Sequence, residues 1–245
     1  MSRSALVTGA SKGIGLGIAT RLATLGYGLT ITARDSEKLE VVAEGLRSAG
    51  SPDVAVVAGD MADEEFATEL VAAHGDRFGS MRALILNAGV GTSGSVADYP
   101  MRRFDKTVAV NLRTPFALLQ ASLPLLRTAA GADRDGGAKV IALSSLTGVY
   151  SESGLAVYGA TKAALISIVE ALNAEESGNG VCATAIAPGY VDTDMAAWIH
   201  DQITPDTMIK VDDIVELVDG LLRLSARAVV PKVVMTRAGT DGYRA

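Results

Sequence analysis

Short apolar runs alternate with longer amphipathic segments along nearly the whole of this 245-residue chain. The runs fall at residues 5–9, 28–34, 54–60, 83–89, 139–145, 181–187 and 229–236. Each is short and almost continuously apolar, the pattern of a strand covered on both faces. Between them, helical patterns run over about residues 13–25, 36–48, 101–128, 155–176 and 211–224. Another helix opens at Asp63, Glu64 and Glu65, whose acids suit the positive end of the helix dipole. Alternating strands and helices predict an α/β fold: a parallel sheet with helices on both faces, doubly wound by right-handed crossovers. Pro231 demotes the start of the last strand to an edge or loop position. Residues 91–94 and 131–137 read as loops, and the tail, 237–245, shows no pattern. With no repeat and no linker, residues 1–245 read as a single domain.

In such a sheet, ligands bind at the carboxyl ends of the strands. That edge collects Gly9, Arg34, Asp60, Asn87, Ser145 and Pro188. The first strand runs into Thr8-Gly-Ala-Ser-Lys-Gly-Ile-Gly15 and then directly into a helix. Glycines at 9, 13 and 15 let backbone approach a ligand closely, and the helix N-terminus offers unpaired N–H groups to a pyrophosphate. The end of the second strand meets the adenosine ribose in dinucleotide folds, where an acid selects NAD and an arginine accommodates the extra phosphate of NADP. Here Ala33 takes the acid's place and Arg34 follows, with Lys12 a second cation in reach, so NADP(H) is expected over NAD(H). Asp35 reads as the cap of the next helix; a register shifted by two would make it the ribose acid.

The stretch 145–162 carries the candidate chemistry. Tyr158 and Lys162 stand four residues apart, on one face if the segment is helical. A free phenol has a pKa of about 10. A neighbouring ammonium favours the phenolate and makes tyrosine useful as an acid or base. Ser145, at the end of the fifth strand, brings a hydroxyl to the oxygen the phenol would protonate; Ser144 should point to the opposite face. Asn111 sits within the long helix, four residues before Pro115, where a break would expose a carbonyl or hold a water.

Composition narrows the function classes. The net charge is −6 with no basic block, which argues against nucleic acid. The lone cysteine, Cys182, lies in an apolar run and reads as a buried thiol. His74 and His200 are far apart and no Cys/His cluster has ligand spacing, so no metal is expected. The first strand begins within a few residues of Met1 and no apolar run is long enough to span a bilayer, so no membrane association and a cytoplasmic location are expected. Gly-Lys-Ser/Thr is absent from the glycine-rich turn, which sets a nucleotide kinase aside.

TGASKGIG (8–15), Asp60-Met61, Asn87-Ala88-Gly89, Asn111, Ser145, YGATK (158–162) and PGYVDT (188–193) occur together and in order. In this the sequence resembles the short-chain dehydrogenase/reductase family, most nearly its 3-oxoacyl-(acyl-carrier-protein) reductase-like members. The resemblance implies a seven-stranded Rossmann fold, nicotinamide-dependent hydride transfer between a carbonyl and a secondary alcohol, and a homodimer or homotetramer. It implies Tyr158 as general acid/base, Lys162 lowering its pKa and holding the nicotinamide ribose, Ser145 on the substrate oxygen, and Asn111 holding a relay water. It places Gly9, Ser11, Lys12, Gly13, Ile14 and Gly15 around the pyrophosphate and adenosine side, Asp60 and Met61 at the adenine, and Asn87, Ala88 and Gly89 along the ribose wall. Pro188, Gly189, Val191 and Thr193 fall to the carboxamide side. A short lid, 193–211, would cover a small, mostly apolar carbonyl substrate, with Trp198 either on that substrate or in ordinary packing. The tail departs from the family's glycine-rich ending. A non-catalytic NADP sensor is the alternative, though such proteins typically lack the tyrosine or the lysine.

Overall fold

A computed structural model describes residues 3–243 of the chain. One sheet holds seven parallel strands: β1 (Ser4–Thr8), β2 (Gly28–Thr32), β3 (Val54–Val56), β4 (Ala83–Leu86), β5 (Ala138–Leu143), β6 (Val181–Pro188) and β7 (Lys232–Met235). Their order is β3-β2-β1-β4-β5-β6-β7. The chain therefore reverses its winding between β1 and β4, the switch point at which such sheets open a crevice.

Strand side chains alternate between two cores. Val7, Ile85, Ile141 and Ile186 face one, with Leu22 of α1 (Gly13–Thr24), Leu39 of α2 (Ser36–Ser48) and Val218 of α7 (Val211–Arg223). Leu6, Leu84, Val140 and Ala185 face the other, with Leu70 of α3 (Phe66–Phe78), Leu118 of α5 (Thr114–Ala132) and Val169 of α6 (Ala156–Glu176). Because both faces are covered, the strands read as apolar runs rather than alternating ones.

Most strands end before their apolar runs do. The third, expected to reach Asp60, is assigned only to Val56, although the Gly59 N–H still donates to the Ala33 carbonyl at 3.0 Å. β7 begins after Pro231, whose carbonyl accepts from Ala185 at 3.0 Å, and it is an exposed edge strand. The long helix expected over 101–128 is three pieces: α4 (Met101–Val108), a π-helical turn (Ala109–Arg113), and α5, which runs on to Ala132. Pro115 falls in the first turn of α5, where a missing N–H is tolerated. It also has no N–H to offer the Asn111 carbonyl four residues back, and the wider turn accommodates that. Among the described residues no helix is long and apolar enough to cross a membrane, and no group of three His, Cys, Asp or Glu could hold a metal ion. Residues 244 and 245 of the tail lie outside the described residues.

A paired glycine test checks how tightly the turn after β1 is packed. A Cβ on Gly15 would stand 2.3 Å from the Gly9 carbonyl oxygen and 2.5 Å from Asn87 Nδ2, whereas one on Gly45, on the exposed face of α2, meets nothing within 4 Å. Gly15→Ala is expected to lower stability by about 1–3 kcal/mol through overpacking. Gly45→Ala is expected to raise it by about 0.5–1 kcal/mol through helix propensity. Urea unfolding of the two variants reads both signs.

Candidate active site

At the carboxyl edge of the sheet a cleft of about 1070 Å³ runs across the switch point. Of the site residues singled out in the sequence, all but Gly15 and Asn111 line it. Gly15 lies beneath, where its missing side chain lets α1 start against the Gly9 carbonyl. Gly9 and Gly13 have positive φ, +67° and +56°, conformations that favour glycine. No side chain caps α1, so its first N–H groups are left for whatever occupies the turn. Asn87 locks the turn from β4: its Nδ2 donates to the carbonyls of Thr8 (2.9 Å) and Gly9 (3.2 Å). The Thr8 hydroxyl accepts from Asn87 N and Ala88 N, both at 2.9 Å, and donates to the Ile85 carbonyl.

At the far end Ala33 and Arg34 reach the cleft from the end of β2. Asp35 is the cap of α2, as expected from the sequence, its Oδ1 accepting from Lys38 N at 3.0 Å; it also lines the cleft. Arg34 has no ion-pair partner among the described residues, while Lys12 is paired with Asp194 at 2.7 Å across the exposed mouth. Lys38, not singled out in the sequence, is a third cation lining this end. Its place in the first turn of α2, directly after the end of β2, is the signal that could have pointed to it. Asp60 Oδ1 accepts from Ala62 N at 2.9 Å and so fixes the turn that carries Met61.

The other half of the cleft is built where β5 meets α6. Ser145 Oγ accepts from Thr147 Oγ1 (3.0 Å) and Thr147 N (3.3 Å). With two bonds accepted, its own proton is free to donate. Thr147, two residues after Ser145, was not anticipated. Ser144 lines the cleft too, although its Oγ donates away from it, to the Lys162 carbonyl at 2.8 Å. Lys162 Nζ donates to the Leu143 carbonyl at 2.7 Å and lies 5.7 Å from the Tyr158 ring centroid.

Burial governs both titratable groups. It pushes the Lys162 ammonium down to about 8. It pushes the Tyr158 phenol above its ordinary value, with the nearby Ser145 hydroxyl acting the other way. The expected lowering of the tyrosine by the lysine is not seen in the free protein, where the loss of water around the phenol prevails.

Asn111 is buried behind the cleft. Its side chain accepts from Val90 N at 2.8 Å and donates to the Val90 carbonyl at 3.0 Å and Thr161 Oγ1 at 3.3 Å. A Cβ on Gly89 would sit 3.4 Å from Asn111 Oδ1 and 3.5 Å from Lys162 Nζ, so both groups close on that glycine.

The segment 193–211 forms two short 3₁₀ turns, Asp194–Ile199 and Pro205–Thr207, and its base is pinned by a bridge between Val191 and Ile209. Met195 and Trp198 from this segment line the cleft and remain 50% and 56% exposed, so Trp198 is not core packing. Trp198 meets the Tyr190 ring edge-on at 6.0 Å. Tyr190 also lines the cleft; it stands in the PGYVDT stretch but carried no assignment of its own. Away from the site, Cys182 is buried and its thiol donates to the Ala226 carbonyl. His74 is buried among Ser4, Thr30 and Ser80, and burial pushes it down to about 4.

The model of the family described as short chain dehydrogenase matches residues 3–204. The chain is 32% identical over 213 residues to the 3-oxoacyl-(acyl-carrier-protein) reductase FabG of Staphylococcus aureus, covering 86% of this chain and 83% of that one. Its structure is similar to an alcohol dehydrogenase from the archaeon Thermococcus sibiricus complexed with 5-hydroxy-NADP, with TM-score 0.86, 27% identity, and coverage of 100% of this chain and 99% of the other. It is similar also to the 3-oxoacyl-(acyl-carrier-protein) reductase of Brucella melitensis in complex with NAD, with TM-score 0.85, 29% identity, and coverage of 96% and 95%. A parallel seven-stranded sheet, a family match over most of the sequence and relatives of this similarity agree: the chain belongs to the short-chain dehydrogenase family.

Proposed function

We propose that this chain is an NADP(H)-dependent oxidoreductase that interconverts a carbonyl and a secondary alcohol, with Tyr158 as the general acid/base. The observation that carries this reading is the meeting of Ser145, Tyr158 and Lys162 in one cleft whose other half is a glycine cradle at a helix N-terminus. The cradle fits a dinucleotide: two glycines at positive φ expose backbone, and α1 presents uncapped N–H groups to a pyrophosphate. When bound, NADP(H) supplies or accepts the hydride.

The residues do the rest. Ser145, its lone pairs engaged by Thr147, donates its proton to the substrate oxygen and holds it beside Tyr158. Tyr158, kept protonated by burial, delivers its proton to that oxygen as negative charge develops in reduction, and recovers it in oxidation. Lys162, fixed by the Leu143 carbonyl, places a positive charge beneath the phenol that stabilises the phenolate left behind. Asn111 holds Val90 by both backbone groups and so shapes the wall beside Lys162; a relay water on its carbonyl remains part of the proposal.

The preference for NADP rests on Arg34, unpaired at the end of β2, with Lys12 and Lys38 beside it and Asp35 committed to its cap. The relatives include complexes with both kinds of cofactor, and these residues are what favour one here. Met195 and Trp198 over the cleft support a small, mostly apolar carbonyl substrate, a 3-oxoacyl compound among the candidates. A homodimer or homotetramer is supported by Met101, Phe104 and Phe116, apolar side chains left exposed on α4 and α5.

Tyr158→Phe is expected to abolish turnover of a ketone panel while NADPH still quenches or shifts the protein fluorescence; full activity in that variant would sink the mechanism. Replacing Arg34 and Lys12 together by Ala should weaken NADPH binding by about tenfold or more relative to NADH, since a hydrogen bond from a cationic side chain to a phosphate is worth roughly 1.5 kcal/mol or more. A double variant with an unchanged ratio of dissociation constants refutes the cofactor assignment.

Lys162 gives a pH test. Its folded pKa of about 8 lies below the ordinary 10.5. The unfolded chain therefore binds more protons between those values, and stability from this group rises with pH across that window. At pH 7 the whole cost of burying the charge is present, on the order of 3 kcal/mol. Lys162→Met is expected to be more stable than the parent at pH 7, with the advantage fading towards pH 10, and to be inactive. In the parent, kcat/KM for reduction should fall as pH rises through about 8; a profile flat to pH 10 contradicts this role for the lysine.

A further inference from the structure

Beside the cleft lies a polar cluster that the reaction above does not use, and one member of it, Tyr190, lines the cleft. Its hydroxyl donates to Glu152 Oε1 at 3.3 Å. Glu152 comes from the loop between Ser145 and α6, so this bond ties the segment after β6 to the loop that carries the catalytic serine. The second oxygen of the carboxylate, Glu152 Oε2, is buried without a hydrogen-bond partner, and so is Nε of Arg237, from the segment after β7. The Tyr190 phenol is pushed up to about 12, first by burial and then by Glu152, while Arg237 acts the other way and Tyr158 adds to the rise. Tyr190 is therefore a neutral phenol whose charge environment is shared with the catalytic tyrosine.

The direction of its hydrogen bond decides what it can recognise. A carboxylate is an acceptor only, so the phenol's single proton is committed to Glu152. The Tyr190 oxygen keeps a lone pair to which no described residue donates, on a side chain that lines the cleft. Resting on the reductase reading, we propose that Tyr190 is a specificity-determining residue that accepts a hydrogen bond from a donor on the substrate, and that Glu152 is the positioning residue that fixes its proton. The substrate class is then a carbonyl compound carrying a hydroxyl or N–H group a few atoms from the reacting carbon, with its remaining surface against Met195 and Trp198. A site built around a hydrogen bond rejects an analogue that lacks the donor, because its own polar group is left unpaired.

The test compares ketones that differ only by hydroxyl against methyl: hydroxyacetone against butanone, and the matched pairs with the hydroxyl one and two carbons further out. Because the hydroxyl also changes the intrinsic reactivity of the carbonyl, the quantity read is the preference of the parent divided by that of Tyr190→Phe. The expected value is about tenfold or more for at least one pair. A quotient near 1 for every pair overturns the proposal. Glu152→Gln, which still offers the phenol an acceptor, should keep the preference, and Glu152→Ala should lose it through KM rather than kcat; equal behaviour of the two assigns Glu152 a structural role only and overturns its part. Trp198 is the sole tryptophan and touches Tyr190, so its fluorescence follows binding of the same pairs without turnover. If no ketone is reduced with either cofactor, the reductase reading fails. The titration still decides this proposal: tighter binding of the hydroxylated member that Tyr190→Phe abolishes supports it, and equal binding overturns it.

Discussion

The side chains proposed for catalysis meet because the turn after β5 lies directly on the backbone of α6. A Cβ on Gly148 would stand 2.7 Å from the Lys162 carbonyl carbon, and one on Gly159 would stand 2.8 Å from the Thr147 carbonyl oxygen. No larger residue fits at either place without moving one backbone off the other. The Ser144 hydroxyl then fastens the contact by donating to the Lys162 carbonyl. Ser145 is left beside the first turns of the helix, within reach of Tyr158. A second contact of the same kind, Gly15 against Gly9 and Asn87, sets the other half of the cleft. The site is a gap between two such contacts, and its width is set by backbone rather than by long side chains, which is the rigid support a reacting geometry needs.

That rigidity brings a buried charge with it. Lys162 is almost fully enclosed, and only the Leu143 carbonyl is a direct partner among the described residues. Loss of water lowers the ammonium's pKa and raises the phenol's, so burial moves both groups towards their neutral forms. A neutral phenol is the form that can donate, and a lysine near its pKa still carries charge at neutral pH. In the proposed mechanism, the same desolvation that destabilises the fold prepares the pair for proton transfer, a common relation between stability and function at active sites.

Much of this was legible in the sequence because strand ends are marked by residues that leave the apolar pattern. Gly9, Asn87, Ser145 and Pro188 terminate runs, and the sheet carries them all to one edge. Asp35 resolved as a cap from helix-start chemistry alone. What the sequence concealed depends on distances between segments. The π turn around Asn111 follows from Pro115 once the helix is seen to continue, yet a simple helical period cannot signal it. Lys12 looked like a free cation, and nothing local shows that Asp194, far along the chain, lies 2.7 Å from it. The raised Tyr158 came from burial, which neighbours in sequence do not report.

The substrate end was the least legible, for a physical reason. It is assembled from three separate stretches, the loop after Ser145, the segment after Pro188 and the tail after β7, none with a period to read. The tail showed no pattern of its own, but it packs back onto the catalytic loop: Tyr243 meets Tyr150 edge-on at 5.1 Å, and Arg237 acts on Tyr190. Strands and the glycine cradle must keep their geometry for a dinucleotide to fit at all, whereas these three stretches are free to vary with what they hold. A departure in the tail and an acidic residue in the loop are therefore parts of one arrangement. Glu152 and Arg237 both act on Tyr190, the carboxylate by accepting the phenol's proton and the guanidinium by its charge. On the proposed reading, specificity in this chain is written in pairings across those stretches, and the trio of Ser145, Tyr158 and Lys162 beside them would serve many carbonyls equally well.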